Sequence, residues 1–276
     1  MPQSTVTERT TLVDTGSSPY ASNSVEYTNG NLALTNFGVW IASGTEPSAP
    51  TLTGNGQTWN AEAGGLHSDL ATATWYLRGF SAHLASQSAG VQSATVSATD
   101  GTDGVFKGVE ITEVPASAAV LQAVYAEGGA SLTPGATLTA FPDTVNDVCY
   151  FAVFAYRAAG APTVTMDGSL IKLGTDLNIG STVVMSHGYM IGEDQTPSAT
   201  LSLSSFWSCI AYTIDSTGAA ATGRIMGSLA GPGGLAAPGG LAGMGGGLAG
   251  FSRVGNLFRP NHKLFRPRLV PALQGA

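Results

Sequence analysis

Asp14-Thr15-Gly16-Ser17-Ser18, led in by Leu12-Val13, is the stretch of this sequence whose residue types and order come nearest to a catalytic loop. An Asp-Thr-Gly turn is how aspartic proteases present one of two carboxylates that share a proton. A single-chain enzyme of that kind needs a second such loop. Asp215-Ser216-Thr217-Gly218 has an extra residue and Asp167-Gly168-Ser169 is out of order. A homodimer would supply the second loop, but Asp14 sits near the terminus. Acid proteolysis through Asp14 is therefore the remote alternative, and the ordinary expectation is a turn in which Asp14 hydrogen-bonds its own backbone.

Other chemistry-bearing residues are sparse. The two cysteines, Cys149 and Cys209, are too few for a disulfide framework and have no metal-ligand spacing; each lies in an apolar run, which predicts buried free thiols. His67, His83, His187 and His262 are far apart and fit no ligand pattern. Gly-x-Ser-x-Gly, phosphate-loop and dinucleotide motifs are absent. Asp100-Gly101-Thr102-Asp103-Gly104 has oxygen ligands at loop spacing, but two adjacent turns explain it equally well. Trp40, Trp75 and Trp207 fall inside apolar strands, so core packing accounts for them better than sugar stacking; Trp59 is the fourth tryptophan. No catalytic residue, cofactor or metal ligand is expected.

The elements that would position such groups are strands. Only 11% of the 276 residues are charged, well below the usual quarter. Short apolar runs alternate with the turn signals Asn29-Gly30, Asn55-Gly56, Gly64-Gly65, Asp100-Gly101 and Asp103-Gly104, the spacing of a sandwich or barrel. Half-buried strands are expected over 72–77, 91–98 and 105–114, then over 119–126 and 137–141. Further strands are expected over 148–156, 163–166, 169–173, 182–190, 199–203 and 206–214. No amphipathic helix of three turns is evident.

Four blocks recur in the same order. Pro50-Thr51-Leu52-Thr53-Gly54-Asn55-Gly56 returns as Pro162-Thr163-Val164-Thr165-Met166-Asp167-Gly168, and each copy follows an apolar run, 36–41 and 150–155. Ser93 to Ser97 is echoed by Ser198 to Ser202, and Val109 to Thr112 by Ile210 to Thr213. The expectation is an all-β chain, an antiparallel, jelly-roll-like β-sandwich with internal duplication and an extended Gly-rich C-terminal tail. Residues 1–30 read as an N-terminal arm and 31–215 as the duplicated body, with copies at about 31–114 and 147–215.

Composition changes abruptly after Asp215. Residues 216–250 are a Gly/Ala/Leu-rich linker, and 251–276 form a basic tail. Up to Asp215 the chain has five basic residues against all 18 acidic ones, a net of −13; beyond it lie six basic residues and no acid. Such asymmetry points to a tail that binds a partner. Leu257-Phe258-Arg259-Pro260 recurs as Leu264-Phe265-Arg266-Pro267, and apolar anchors beside arginine suit docking into pockets rimmed by carboxylates. The candidate docking residues are Leu257, Phe258, Arg259, Leu264, Phe265, Arg266 and Arg268. Nucleic acid is the lesser reading of these charges. Residues 225–252 carry no charge, but glycine and proline leave them weakly apolar, so no membrane span is expected. The opening residues lack a basic patch and apolar run, so Sec export is not expected.

The succession of an apolar strand, Pro-Thr-x-Thr-x-x-Gly leading to Trp59, Thr72-Ala73-Thr74-Trp75-Tyr76, Ser-Ala-Thr-Val-Ser and Val109-Glu110-Ile111 resembles the β-sandwich domains of tailed-bacteriophage virion proteins. These are the head fibres, decoration proteins and tail-associated proteins. The resemblance covers roughly 31–215 and rests on strand order and turn composition. It implies a non-enzymatic structural protein located in the virion, homo-oligomeric, whose partners are other virion proteins of the capsid, neck or tail. No functional residues carry over from it, and the Gly-rich tail departs from the common pattern. The alternative from another class is a receptor-binding adhesin recognising a host surface glycan.

Overall fold

The computed structural model describes residues 3–16, 18–41, 46–69, 73–84, 89–96 and 102–216. All belong to the first of the chain's two units, Met1–Ser228. Among the described residues there are strands and no helix. The first half carries β1 (Val6–Asp14), β2 (Tyr20–Ala21), β3 (Val25–Glu26), β4 (Leu32–Ile41), β5 (Thr51–Gly54), β6 (Asn60–Asp69), β7 (Ala73–His83), β8 (Ala89–Gly90), β9 (Gln92–Thr95) and β10 (Thr102–Ile111). The second carries β11 (Val120–Ser131), β12 (Val148–Tyr156), β13 (Val164–Met166), β14 (Ile171–Lys172), β15 (Leu177–Ile179), β16 (Val183–Ile191), β17 (Ala199–Leu201) and β18 (Ser205–Ile214).

Two large antiparallel sheets dominate. One runs β1-β10-β4-β7-β6; the other runs β11-β18-β12-β16-β14, with β15 also paired to β16. They face each other across a shared apolar layer that includes Leu34, Trp75, Leu77, Val105 and Val109 of the first sheet and Ala152, Phe154, Met185 and Ile210 of the second. Trp75 lies 5.9 Å from Phe154 and 6.1 Å from Tyr156, and Trp40 stacks on Tyr156 at 5.9 Å. The chain is thus an antiparallel all-β sandwich.

The outer faces are covered as well. The small sheet β2-β9-β5 packs Tyr20, Leu52 and Ala94 onto Phe37, Val39, Phe80 and Phe106. The pair β13-β17 packs Val164, Ala199 and Leu201 onto Phe151, Val153, Ala155 and Ala211. This is why β12, Val-Cys-Tyr-Phe-Ala-Val-Phe-Ala-Tyr, is buried at every position and has no polar face. A strand covered on both sides reads as a continuous apolar run rather than an alternating one.

Several expectations differ from the structure. The 1–30 stretch read as an arm contributes β1, β2 and β3 to three different sheets. Gly64-Gly65, expected as a turn, lies inside β6 at a register shift between Ala61 and Gly64. The Tyr125 ring of β11 occupies the place a Cβ on Gly65 would need, so glycine serves close packing there. Asp103-Gly104 is likewise within β10. No strand forms over 137–141. The Gln122 side chain accepts the Thr139 and Ala140 N–H groups at 2.8 and 3.0 Å, and the Gln195 carbonyl takes the Leu138 N–H at 2.8 Å, which leaves those donors no neighbouring strand to serve.

Candidate functional site: a buried polar seam between the sheets

In β10 the inward positions run Val105, Lys107, Val109 and Ile111, so an ammonium group stands in phase with the apolar core. Lys107 is fully buried. Its Nζ lies 2.7 Å from Glu8 Oε2 and donates to the Leu173 and Thr175 carbonyls at 2.6 and 3.3 Å. Three donors thus meet three acceptors, the condition under which a buried charge is tolerated. Glu8 comes from β1, and the two carbonyls come from the segment between β14 and β15 of the opposite sheet. The clasp therefore ties one edge of the first sheet to one edge of the second.

Next to it on β4 stands Asn36, the register partner of Lys107 and also fully buried. Its Oδ1 accepts the Tyr212 hydroxyl of the opposite sheet at 2.6 Å, and its side chain also stands beside the Tyr150 hydroxyl. Tyr212 reaches Asn36 because position 79 of β7 is glycine; a Cβ there would stand in the hydroxyl's place. Tyr150 and His187 complete the seam through a hydrogen bond between the Tyr150 hydroxyl and His187 Nδ1. Burial pushes the Tyr150 and Tyr212 hydroxyls well above their ordinary range, so both stay protonated. Burial first, and Lys107 second, push His187 well below its usual value, so the imidazole is neutral. Lys107 and Asn36 are direct register partners, and Glu8, the β1 partner of Val109, reaches the lysine diagonally from the other neighbouring strand.

A second buried charge has its own partners. Glu110, on the other face of β10, accepts from Arg9 Nε, the Thr28 N–H at 2.9 Å and Asn31 Nδ2. Burial acts to raise its pKa, but the hydrogen bonds from Asn31, Thr28 and Arg9 outweigh it and the net shift is downward.

These shifts fix the sign of one pH dependence. His187 has a folded pKa below its unfolded value of 6.5, so its contribution is complete above that value and is lost as pH falls and the unfolded state gains protons. Glu110 acts in the same direction from its unfolded value of 4.5 downward. Asp103 and Asp147, raised first by burial, oppose them, so a variant comparison is the clean measurement. Between pH 7 and pH 5 the stability of the protein relative to His187→Gln should fall by up to about 1.4 kcal/mol per pH unit, the value of one proton. Urea midpoints of the two proteins at several pH values check this; parallel curves would contradict it.

The residues singled out from sequence lie elsewhere. Asp14 Oδ1 accepts the Gly16 N–H at 2.7 Å, the local turn expected of it. The carboxyl group that acts on Asp103 is Asp14, after burial, but Asp103 belongs to β10 and not to a second Asp-Thr-Gly loop. Cys149 and Cys209 are free and buried on the outer face of the second sheet, their thiols pushed up to about 12, chiefly by burial. His67 stacks on Trp75 at 4.0 Å, and its Nδ1 lies 3.3 Å from Glu127 Oε2. Among the described residues no group of three or more His, Cys, Asp or Glu side chains is placed to hold a metal ion. His262 and the docking residues Leu257, Phe258, Arg259, Leu264, Phe265, Arg266 and Arg268 lie outside the described residues, as do Asp100 and Gly101. Sequence reasoning missed the seam. Its signal was Lys107 at the same parity as Val105, Val109 and Ile111, and Asn36 at the same parity as Leu32 and Leu34. Comparison with protein-family models, with characterised proteins and with solved structures gives no match.

Proposed function

We propose that this chain is a non-enzymatic structural protein of a virus particle, a head decoration, head fibre or tail-associated component, anchored through residues 251–276. The observation that carries this reading is the way the chain leaves the body. β18 ends at Ile214; the Asp215 N–H then donates to the Ala119 carbonyl at 2.8 Å, and the Ser216 N–H to Asp147 Oδ1 at 3.4 Å. A β body covered on its outer faces thus hands over to 60 residues that carry six positive charges and no negative one, while the body carries −13. A displayed body with an oppositely charged tether suits attachment to a larger assembly.

The same reading includes an internal duplication. The orders β1-β10-β4-β7-β6 and β11-β18-β12-β16-β14 match strand for strand, and β5-β9 finds its counterpart in β13-β17. The glycan-binding alternative draws no support from the tryptophans. Trp75 and Trp207 are buried, Trp40 stacks on Tyr156, and Trp59 Nε1 donates to the Gly54 carbonyl.

The test is a truncation. A chain ending at residue 250 is expected to fold with the melting behaviour of the full protein and to be lost from purified particles, assayed by quantifying the protein in the particle fraction. Normal incorporation of the truncated chain would overturn the anchoring role, and a specific hit of the full chain on a glycan array would favour the adhesin.

A further inference from the structure

We propose that Lys107 and Asn36 condense into an intramolecular isopeptide bond, with Glu8 moving the proton and Tyr212 stabilising the oxyanion. The inference is independent of where the protein acts and rests on the seam alone. Register partners in an antiparallel pair hold their Cβ atoms about 4.5–5.5 Å apart, and the flexible four-carbon lysine stem spans that gap from β10 to β4. Both residues are fully buried among Leu34, Val105, Val109 and Tyr150, where water does not compete for the carboxamide.

The groups the reaction requires are in place. Glu8 Oε2, 2.7 Å from Nζ, takes a proton to leave a neutral amine. Nζ swings from the Leu173 and Thr175 carbonyls and attacks Asn36 Cγ. As the tetrahedral intermediate forms, negative charge gathers on Oδ1, which already accepts the Tyr212 hydroxyl at 2.6 Å. A fixed donor aimed at an oxygen that becomes an oxyanion is the largest single aid to acyl transfer. Glu8 then passes the proton it took to Nδ2, which leaves as ammonia, and as the carbonyl re-forms Nζ gives its second proton to Glu8, which ends neutral. The new bond is Nζ–Cγ, the broken bond is Cγ–Nδ2, the product is a secondary amide plus ammonia, and nothing is oxidised or reduced. Glu8 is 34% exposed and lines a surface cavity of about 220 Å³ with Arg9, Thr10, Thr11, Asn23 and Ser24, which gives the ammonia a way out.

The experiment is intact-mass spectrometry of the full chain, denatured after folding. The expected mass is about 17 Da below that of the sequence, the loss of one ammonia. Lys107→Arg and Asn36→Ala should each recover their full sequence mass. Glu8→Gln keeps both reacting residues and should also stay at full mass while folded, which covers the case in which the other variants do not fold. Tandem spectra of a digest should show one branched peptide joining Lys107 to residue 36. Succinimide formation at Asn29-Gly30 or Asn55-Gly56 would produce the same mass loss, but without the branched peptide and equally in Lys107→Arg. A wild-type chain at full mass after prolonged incubation in the folded state, or a mass loss that persists in Lys107→Arg, overturns the proposal.

Discussion

Trp75→Ala should destabilise the body by about 3–5 kcal/mol, the cost of emptying a large aromatic site in a core. Its melting temperature should drop by roughly 6–20 °C for a folded unit of this size. The indole is fully buried and lies where both sheets meet: Phe154 and Tyr156 contact it from the second sheet, His67 stacks on it from β6, and its Nε1 donates to Ser208 Oγ at 2.8 Å. Alanine removes all of these at once and leaves the Ser208 hydroxyl to Tyr125 alone, at 3.0 Å. Trp75→Phe keeps part of the volume and loses the hydrogen bond, so it should fall between the two. Differential scanning calorimetry of the three proteins would rank them. If alanine shifted the midpoint by no more than a surface substitution does, Trp75 would not join the two sheets.

The fold class was legible because its strongest signals are local. The continuous apolar run at β12, the largely apolar β4, and Gly- and Asn-rich turns between short strands needed no tertiary knowledge. The alignment of the proposed repeats was not legible. If β4 is laid on β12 as the sequence echo suggests, Phe37 falls on Phe151, and the sheet partners Phe106 and Ala211 then correspond. The echo of Val109 to Thr112 in Ile210 to Thr213 places Phe106 on Trp207 instead, four residues away. Laying Thr53 on Thr165 in the same way makes Ser93 correspond to Thr200, two residues from its echo. Even-numbered slips keep every side chain on its own face, so alternation in short strands cannot detect them. The candidate site was illegible for a different reason. Glu8, Lys107, Asn36 and Tyr212 meet only because four strands distant in sequence are brought into neighbouring positions, and no spacing rule links them. Asp14 drew attention through a contiguous motif, and that motif is a local turn.

Relative to the unlinked wild-type chain, Lys107→Met should cost about 1–3 kcal/mol, because it leaves the Leu173 and Thr175 carbonyls without their donor while the partly exposed Glu8 carboxylate turns to water. Glu8→Gln should cost less. The amide oxygen still accepts from Nζ, so the buried lysine keeps three acceptors and loses only the counter-charge of a carboxylate that is itself a third exposed. Lys107→Arg is not conservative here. Gly174, at φ +61°, packs its backbone against the Glu8 carboxylate so closely that a Cβ would collide with it, and a planar five-donor fork has no room to match three acceptors arranged around a single ammonium. Urea unfolding gives the ordering Lys107→Met below Glu8→Gln below wild type. Hydrogen exchange adds a spatial readout: in Lys107→Met the amides of β1 and β15 should lose protection first, since the clasp joins those two edges, while β12 and β18 keep theirs until global unfolding. Uniform loss of protection across all strands would mean that Lys107 supports the core as a whole and that the two edges have no local clasp.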